Sequence, residues 1–304
     1  MLAALSGFET PPNDAGYGRS APAENGERYS RMEQLLPCRV GGATVSAVTR
    51  RNETLRNDER WQPPPFADVT TVRGRLVSRL RRLLDLQAAS IWRDLKSPLG
   101  DATGIILDVG AGAQPYRPLI NREATYRAID SADVRERFGY DMPGTVYFPG
   151  DDWPVADRTI DLLLATETLE HVPDPDAFLA QACRVLREDG KLVLTVPFSA
   201  RWHYIPYDYW RFTPSALRML LERNGFRDVL VLARGNELTV ACAKVMALML
   251  PFLLPQGEGV PLLRRLFGVA LAPLLVGAAL IGQGSLRRQG GDDCLGYTVF
   301  ASSR

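Results

Sequence analysis

The feature that most constrains the fold is a regular alternation of short apolar runs and helical segments that begins at Gly104. Helices are predicted over Asp174–Leu186 and Thr213–Asn224, and Gly225 is expected to end the second one as a left-handed cap. In chain order, the predicted strands are Gly104–Val109, Thr125–Asp130, Thr145–Phe148, Thr159–Ala165, Lys191–Val196, Asp228–Ala233 and Gly296–Ser302. Strands that alternate with helices form βαβ units. The pattern therefore predicts an α/β fold with a mostly parallel sheet and helices on both faces.

Changes in composition divide the rest of the chain. Residues 1–66 are rich in Pro, Gly, Asn and Glu, and they are predicted to be poorly ordered because they bury too little apolar surface. Residues 67–98 carry a leucine stripe among arginines. They are predicted to form an amphipathic helix, which either covers an edge of the domain or lies on an anionic membrane surface. The α/β domain is then expected over 99–234 and 292–304, with an apolar helical insert over 235–291.

The insert contains a long uncharged segment. Leu266–Leu286 has no charged residue over 21 positions, and as a helix it would be ~31 Å long, enough to cross a hydrocarbon core of ~30 Å. A single crossing, however, would separate the last strand from its sheet. We therefore predict a helical hairpin beside the sheet, formed together with Val240–Leu254. Its apolar face, within 240–286, is expected to be buried in the domain, in a homodimer or in one leaflet of a membrane.

Composition argues against several other classes of protein. Lys and Arg number 36 against 35 Asp and Glu, so there is no basic excess and a general nucleic-acid binder is not expected. The four cysteines form no C-x-x-C motif and the chain has two histidines, so no metal site is expected. The N-terminus lacks a basic region followed by an apolar run, so no secretory signal is predicted and the cytoplasm is the expected location.

A glycine-rich turn follows the first predicted strand. Asp108, Gly110 and Gly112 form a D-x-G-x-G pattern in which the glycines allow a sharp turn and let a ligand approach bare backbone. The turn is expected to lead into a helix. The third glycine of a pyrophosphate-binding fingerprint would fall at Pro115, which fits a first helical turn but not close helix packing. The turn alone is a weak signal for a nucleotide site, and Pro115 argues against a nicotinamide-dependent oxidoreductase.

Two acidic positions follow the next two strands. Asp130 ends the second strand, 18 residues after Gly112, where an acid can accept hydrogen bonds from two ribose hydroxyls; the alternative is a cap for the next helix. After the third strand, Asp151 or Asp152 can meet an adenine amino group, and Trp153 can form an apolar wall for the ring. The alternative for this second group is a surface turn.

These residues carry a resemblance to a known family. Leu107–Gly112, Asp130, Asp152–Pro175 and Arg184–Phe198 resemble the class I S-adenosylmethionine-dependent methyltransferases and are most similar to the methyltransferase type 11 group. The resemblance covers roughly 104–233 and resumes near residue 296. It implies a Rossmann-like sheet of seven strands in which the last strand is antiparallel beside the sixth. It also implies S-adenosylmethionine at the carboxyl ends of the first strands.

The resemblance further implies roles for individual residues. The acid in the turn would meet the methionine amino group, the turn itself would pass under methionine and ribose, and the later acids would hold ribose and adenine. Thr166 would face the methionine side. The implied cofactor-binding set is Asp108, Gly110, Ala111, Gly112, Asp130, Asp152, Trp153 and Thr166. His171, in the sequence LEHV, would either touch the substrate or shape the loop after the fourth strand.

An aromatic segment follows the fifth strand, at the same edge of the sheet. Within eleven residues it carries Trp202, Tyr204, Tyr207, Tyr209, Trp210 and Phe212. So much apolar surface in a loop indicates that the loop covers something. Either it packs on its own domain as a lid, or it forms a substrate wall whose polar contacts are His203, Asp208 and Arg211. The segment also resembles a stretch found in bacterial methyltransferases associated with glycan or lipid-linked biosynthesis.

These observations predict an O-methyltransferase that acts on a small-molecule or glycan-like acceptor. His203 is the predicted general base, and Asp208 either orients it or acts alone. Arg211 is expected to pair with a carboxylate or phosphate of the acceptor. The predicted acceptor-binding set is Trp202, Tyr204, Tyr209 and Arg211. A carboxylate acceptor would need no base, and a non-catalytic protein that keeps the fold and the cofactor is the alternative function.

Overall fold

The structure is a computed structural model that describes residues 71–134, 141–150, 152–253, 261–288, 290 and 292–304. These residues belong to one compact unit, Arg60–Arg304. The expectation of poor order over 1–66 concerns residues outside this set, and the domain boundaries given above stay predictions.

A seven-stranded sheet forms the centre of this unit. The strands are β1 (Ile105–Val109), β2 (Thr125–Ser131), β3 (Thr145–Phe148), β4 (Ile160–Thr166), β5 (Leu186–Pro197), β6 (Phe226–Arg234) and β7 (Gly296–Ser303). Their order is β3-β2-β1-β4-β5-β7-β6, and β7 pairs antiparallel with both of its neighbours while the other pairs are parallel. The predicted Rossmann-like sheet with an antiparallel last strand is therefore confirmed.

Helices pack on both faces of the sheet. The helices whose bounds the structure describes are α1 (Val72–Leu84), α2 (Leu86–Gly100), α3 (Pro175–Val185), α4 (Pro214–Arg223), α5 (Glu237–Leu253) and α6 (Leu262–Ser285). Successive side chains of a strand point to opposite faces. In β4, Leu163 accordingly belongs to the core cluster that contains Leu179 of α3, whereas Leu162 and Leu164 belong to the cluster that contains Ile91 of α2. This alternation accounts for the continuous apolar run of the strand.

The predicted amphipathic helix of 67–98 is two helices in the structure. Asp85 leaves the helical conformation at φ −116° and ψ 93°, and its carboxylate accepts a hydrogen bond from the backbone N–H of Ala88. A residue that ends one helix and caps the next breaks the continuous stripe. As a consequence, Ile91 and Leu95 of α2 are buried, while Leu76 and Leu80 of α1 are exposed.

The loop between β1 and β2 also differs from the prediction. Within the described part of this connection, the helix expected after the glycine turn is a single 3₁₀ turn, Arg117–Leu119. Gly112 and Gln114 both adopt positive φ angles, +49° and +53°, and Pro115 has no N–H to donate. Left-handed residues and a proline in succession cannot continue a helical hydrogen-bond ladder.

The apolar insert forms the predicted helical hairpin, made of α5 and α6. The helices approach closely where a Cβ on Gly268 would collide with the carbonyl oxygen of Phe252. A core cluster shared with Leu86 of α2 contains Val240, Met246, Leu275 and Ala279, among other residues. The outer face is nevertheless open, because Leu266–Ser285, with a mean hydropathy of 2.0, is 22% buried. This stretch is long and apolar enough to cross a membrane.

Candidate active site

The candidate site lies where the parallel strands β1, β2, β4 and β5 end. The carboxyl ends of parallel strands meet at one edge of a sheet, and ligands of open α/β sheets bind at this edge. The glycine turn follows β1, Asp130 lies at the end of β2, Thr166 ends β4, and the aromatic segment 201–213 follows β5. The fold thus gathers segments that are far apart in the sequence.

The glycine turn holds bare backbone against the neighbouring strands. Gly110 has φ +68°, and a Cβ at this position would collide with the side chain of Thr168, so no other residue fits. Its N–H donates to the carbonyl of Ile129 at 3.0 Å, and the adjacent Ala111 is buried. Thr168 in turn donates to the carbonyl of Thr166 at 3.2 Å. The turn after β1 and the loop after β4 therefore form one packed surface.

Asp130 is buried against this turn. Its carboxylate accepts hydrogen bonds from the backbone N–H groups of Gly112, at 2.7 Å, and Ser131, at 2.8 Å. Burial raises the pKa of Asp130 to about 6, although the two N–H groups oppose the shift. The structure thus brings Asp130 to the backbone of the turn, and its ribose-binding role stays a prediction.

Asp108, at the start of the glycine turn, has one carboxylate oxygen with a hydrogen-bond partner and one without. One oxygen accepts a hydrogen bond from the hydroxyl of Tyr126 at 2.7 Å, and the other is buried without a hydrogen-bond partner among the described residues. Burial raises the pKa of Asp108 to about 7; the Tyr126 hydroxyl opposes this shift and the charge of Asp130 adds to it. A buried acceptor without a partner is costly, so Asp108 suits a donor group of a ligand.

The predicted adenine contacts are arranged differently. Trp153 is a core residue, 7% exposed, whose ring packs edge-on against Phe178 with 5.0 Å between centroids. Asp152 is exposed and accepts a hydrogen bond from Gln181 of α3 at 3.2 Å, while Asp151 lies outside the described residues. Trp153 therefore stabilises the core, and the adenine-binding roles of Asp152 and Trp153 stay predictions.

The aromatic segment docks on the loop after β4. The backbone N–H groups of Tyr209 and Trp210 both donate to the carbonyl of Glu170, at 2.9 and 3.3 Å. The indole of Trp210 donates to the carbonyl of Val172 at 2.9 Å, and Phe212 is buried in the core. Part of the segment thus packs on its own domain, which was one of the two predicted roles. Trp202 and Trp210 remain 43% and 40% exposed.

Within this segment, His203, Asp208 and Arg211 form one hydrogen-bonded group. Asp208 lies 3.0 Å from Nδ1 of His203 and accepts two hydrogen bonds from the Arg211 guanidinium, at 2.6 and 2.7 Å. Burial would raise the pKa of Asp208, but the hydrogen bonds from Arg211 and His203 outweigh it and hold the pKa well below its usual range. Arg211 is therefore engaged by Asp208, and its predicted contact with an acceptor anion stays a prediction.

His171 belongs to the same group of side chains. Its ring packs edge-on against His203 and Tyr204, each at 5.0 Å between centroids, and its Nδ1 lies 2.9 Å from the carbonyl oxygen of Tyr207. Burial lowers the pKa of His171, although the Tyr207 carbonyl opposes the shift. The side chain thus holds the aromatic segment against the loop after β4, and its predicted contact with the substrate stays a prediction.

Three charged residues of this region were not predicted from the sequence. Glu167 lies 2.9 Å from the fully buried Arg234 and accepts a hydrogen bond from Gln87 at 2.7 Å. Glu170 is also fully buried, and burial raises its pKa well above the usual range. The spacing E-x-x-E-H over 167–171 was the available sequence signal. This spacing alone does not predict a role for the two glutamates, because their partners come from distant parts of the chain.

Comparison with known proteins identifies the class. A family model described as a methyltransferase domain matches residues 75–231, about half of the chain. Together with the sheet order and the glycine turn, this match shows that the chain belongs to the class I S-adenosylmethionine-dependent methyltransferases. The resemblance inferred from the sequence is confirmed.

Individual relatives are distant. Methyltransferase GfsG from Streptomyces halstedii is 26% identical over 137 residues, which cover 44% of this chain and 48% of that protein. The chain thus spans about half the length of this curated relative. A methyltransferase from Thermotoga maritima, described as a possible histamine N-methyltransferase, is 14% identical with a TM-score of 0.45, covering 76% of this chain and 97% of that one. A second, from Archaeoglobus fulgidus, is 17% identical with a TM-score of 0.45 and coverages of 72% and 95%.

The residues at the site fit the cofactor of this family. S-adenosylmethionine, when bound, supplies a methyl group that its sulfonium has already activated. The unpartnered oxygen of Asp108 suits the methionine ammonium. Asp130, at the end of β2, is the acid expected to hold the ribose.

Replacing Asp130 by alanine is expected to lower the affinity for S-adenosylhomocysteine at least ~10-fold, because each charge-assisted hydrogen bond lost is worth ~1.5–3 kcal/mol. Isothermal titration calorimetry measures the change. Glu123→Ala removes an exposed acid of the same β1–β2 connection and is the control, with unchanged affinity expected. Equal affinities of the Asp130→Ala protein and the wild type would contradict the assignment.

Proposed function

We propose that the chain transfers the methyl group of S-adenosylmethionine to an oxygen atom of a small-molecule or glycan- or lipid-linked acceptor. The observation that carries this proposal is the pairing of His203 with Asp208 in the segment that follows β5. A hydroxyl acceptor must lose a proton as it is methylated, and a histidine oriented by a carboxylate is suited to take it.

The site residues have separable tasks in this reaction. Methyl transfer is an in-line displacement, so positioning the acceptor and excluding water are the main contributions of the protein. Asp208 and the carbonyl of Arg201 lie 3.0 and 3.1 Å from Nδ1 of His203. These acceptors favour the tautomer in which Nδ1 is protonated and Nε2 takes the acceptor's proton. Arg211 keeps Asp208 ionised and in place.

The aromatic residues suggest the kind of acceptor. The exposed faces of Trp202 and Trp210 offer flat apolar surfaces beside a polar group of residues, while Tyr204 and Tyr209 are partly buried. Small ligands are held in this way, by apolar walls with a few polar groups that fix orientation. The likeness of this segment to methyltransferases of glycan and lipid-linked biosynthesis supports the same class of acceptor.

Transfer of label from methyl-tritiated S-adenosylmethionine to a cell extract tests the proposal. We expect a labelled product in the metabolite, glycan or lipid fraction, with mass spectrometry placing the methyl group on oxygen. A methyl group on nitrogen or carbon would contradict the proposal. A protein that binds S-adenosylhomocysteine but labels nothing would instead favour the non-catalytic alternative.

We also propose a cytoplasmic protein whose helical hairpin attaches it to a membrane surface or to a second copy of itself. The outer face of α6 carries exposed side chains, of which Leu263 and Val269 are 79% and 70% exposed. Exposed apolar patches of this kind commonly mark contacts with a protein or a membrane. A connection of α5 and α6 that packs beside the sheet keeps β7 on the same side as the other strands.

Leu263→Ser together with Val269→Ser is expected to abolish this attachment, because both changes remove exposed apolar surface without touching the core. Cell fractionation with carbonate or high-salt extraction measures membrane attachment, and sedimentation measures the dimer. Leu230→Ser, on an exposed position of β6, is the control. A wild-type protein that stays soluble and monomeric would contradict the proposal, and release by detergent alone would mean that the hairpin spans the membrane.

A further inference from the structure

The chain has only two histidines, and the fold brings them together. His171 follows β4 and His203 follows β5, yet their ring centroids lie 5.0 Å apart. With Glu170 they offer three ligand atoms that all lie within 4.8 Å of one another. The count of histidines had argued against a metal site, but the relevant quantity is their separation in space.

Both rings are oriented as metal-binding histidines are. Nδ1 of His171 lies 2.9 Å from the carbonyl oxygen of Tyr207, and Nδ1 of His203 lies against Asp208 and the carbonyl oxygen of Arg201. Metal-binding histidines typically donate one ring N–H to a carbonyl or carboxylate in this way, and the other nitrogen then holds the metal. Nε2 is therefore the nitrogen of each ring that is left to bind a metal.

Glu170 supplies an independent observation. Its side chain is fully buried, and neither carboxylate oxygen receives a hydrogen bond from another described residue. One of these oxygens lies 3.7 Å from Nε2 of His171. Buried carboxylates are normally paired, hydrogen-bonded or bound to a metal. The carboxylate of Glu170 lies close to both imidazoles, and a bound cation would supply the partner that it lacks among the described residues.

We propose that Glu170, His171 and His203 bind a divalent cation of the first transition series. Two histidines and one carboxylate form a common metal site that leaves coordination positions open for substrate or water. Ligand distances of about 2.1 Å place two ligands of one ion at most about 4.2 Å apart. The 3.7 Å separation already fits, and the third ligand atom lies within 4.8 Å of the other two, so that at most a small side-chain adjustment completes the site.

The neighbouring charges are compatible with a cation. Asp208 and Glu167 add negative charge near the three ligands, and both are already bound to arginines, Asp208 to Arg211 and Glu167 to Arg234. These arginines are therefore directed towards the flanking acids. The carboxylate of Glu170 is the one left to balance the ion.

This inference rests on the proposed oxygen methyl transfer and deepens it. A hydroxyl of the acceptor that occupies an open position would lose its proton to solvent more easily, because the cation lowers its pKa. The oxygen then forms the bond to the methyl carbon, and the sulfonium C–S bond breaks with its electron pair going to sulfur. With the ion bound, Nε2 of His203 is a ligand, and the cation replaces the imidazole as the group that promotes proton loss.

Calorimetric titration of the chelator-treated full chain with Mn²⁺ and with Zn²⁺ tests the site without any acceptor. We expect one ion per chain in the wild type, and at least 10-fold weaker binding after Glu170→Gln or His203→Ala. Thermal unfolding confirms that each variant is folded, and His203→Ala, which changes a partly exposed segment, serves if Glu170→Gln does not fold. Glu222→Gln, an exposed acid on α4, is the matched control and is expected to bind as the wild type does.

Two results would overturn the inference. One is a wild type that binds neither cation with a Kd below about 1 mM. The other is binding that both variants retain at wild-type strength, which would place the ion elsewhere. If the protein binds no ion but its product is methylated on oxygen, the cation site is wrong and the proposed function stands. If it binds the ion but methylates nitrogen or carbon, the oxygen acceptor is wrong and the cation site stands.

Discussion

Replacing His203 by alanine is expected to lower turnover by ~10²–10⁴-fold, the range typical for loss of a general base. The effect follows because the hydroxyl acceptor then keeps its proton during attack, whether imidazole or a bound cation promotes its loss. The affinity for S-adenosylhomocysteine is expected to change little, since His203 makes its polar contacts with Arg201 and Asp208 of its own segment. Measurement of kcat with the labelled acceptor, beside calorimetry, separates the two effects.

Asp208→Asn is the companion variant. Asparagine keeps the size of the side chain but loses the charge that Arg211 and His203 share, so turnover is expected to fall in the same direction. Arg227→Gln, on the exposed edge of β6, is a control outside the site. Near-normal turnover of His203→Ala on the true acceptor would remove His203 from the mechanism and favour an acceptor that needs no deprotonation.

Replacing Glu167 by alanine is expected to lower the free energy of unfolding by ~3 kcal/mol. Arg234 is fully buried, and its guanidinium donates hydrogen bonds to the carboxylate of Glu167 and to the carbonyl of Val196, each at 2.9 Å. Removing the acid leaves a buried guanidinium without its counter-charge, which typically costs ~3–5 kcal/mol. The lower end applies because Glu167 is itself partly exposed. Urea denaturation measures the change.

Two controls separate burial from charge. Asp176→Ala removes the partner of Arg223 in an exposed ion pair, and we expect it to lower the free energy of unfolding much less than Glu167→Ala does. Replacing both members of the buried pair, Glu167→Leu with Arg234→Met, is expected to restore much of the stability, because no unpaired charge remains. A loss below ~1 kcal/mol for Glu167→Ala alone would show that water reaches Arg234.

Local patterns were sufficient to predict the sheet. A parallel strand buried on both faces is a short apolar run that ends in turn residues, and each of the seven predicted runs overlaps an observed strand. Gly110 and Asp130 were likewise identifiable, because backbone freedom and an acid at a strand end are properties of single positions. The cofactor loop and the fold class could therefore be predicted together.

The prediction of helices failed where a single residue interrupts the helical backbone. Asp85 splits the expected helix because its carboxylate caps a new helix three residues on. Gln114 and Pro115 replace the helix after the glycine turn, because a left-handed residue followed by a proline cannot propagate helical hydrogen bonds. Periodicity reports which face of an element is apolar, but it does not report where the backbone leaves the helix.

The sequence by itself determined the class of protein, since strand runs, glycines and strand-end acids act through their immediate neighbours. Only the tertiary structure decided the chemistry of the site. Docking of the aromatic segment on the loop after β4 brings His203 to His171 and Glu170. Assembly of the strands into one sheet brings Arg234, at the end of β6, to Glu167. These contacts join residues separated by tens of positions, and their strength comes from burial. The physical reason is that water is removed from these residues only when the core assembles. Without water, an unpaired charge is costly, and a charged residue must therefore meet a particular partner.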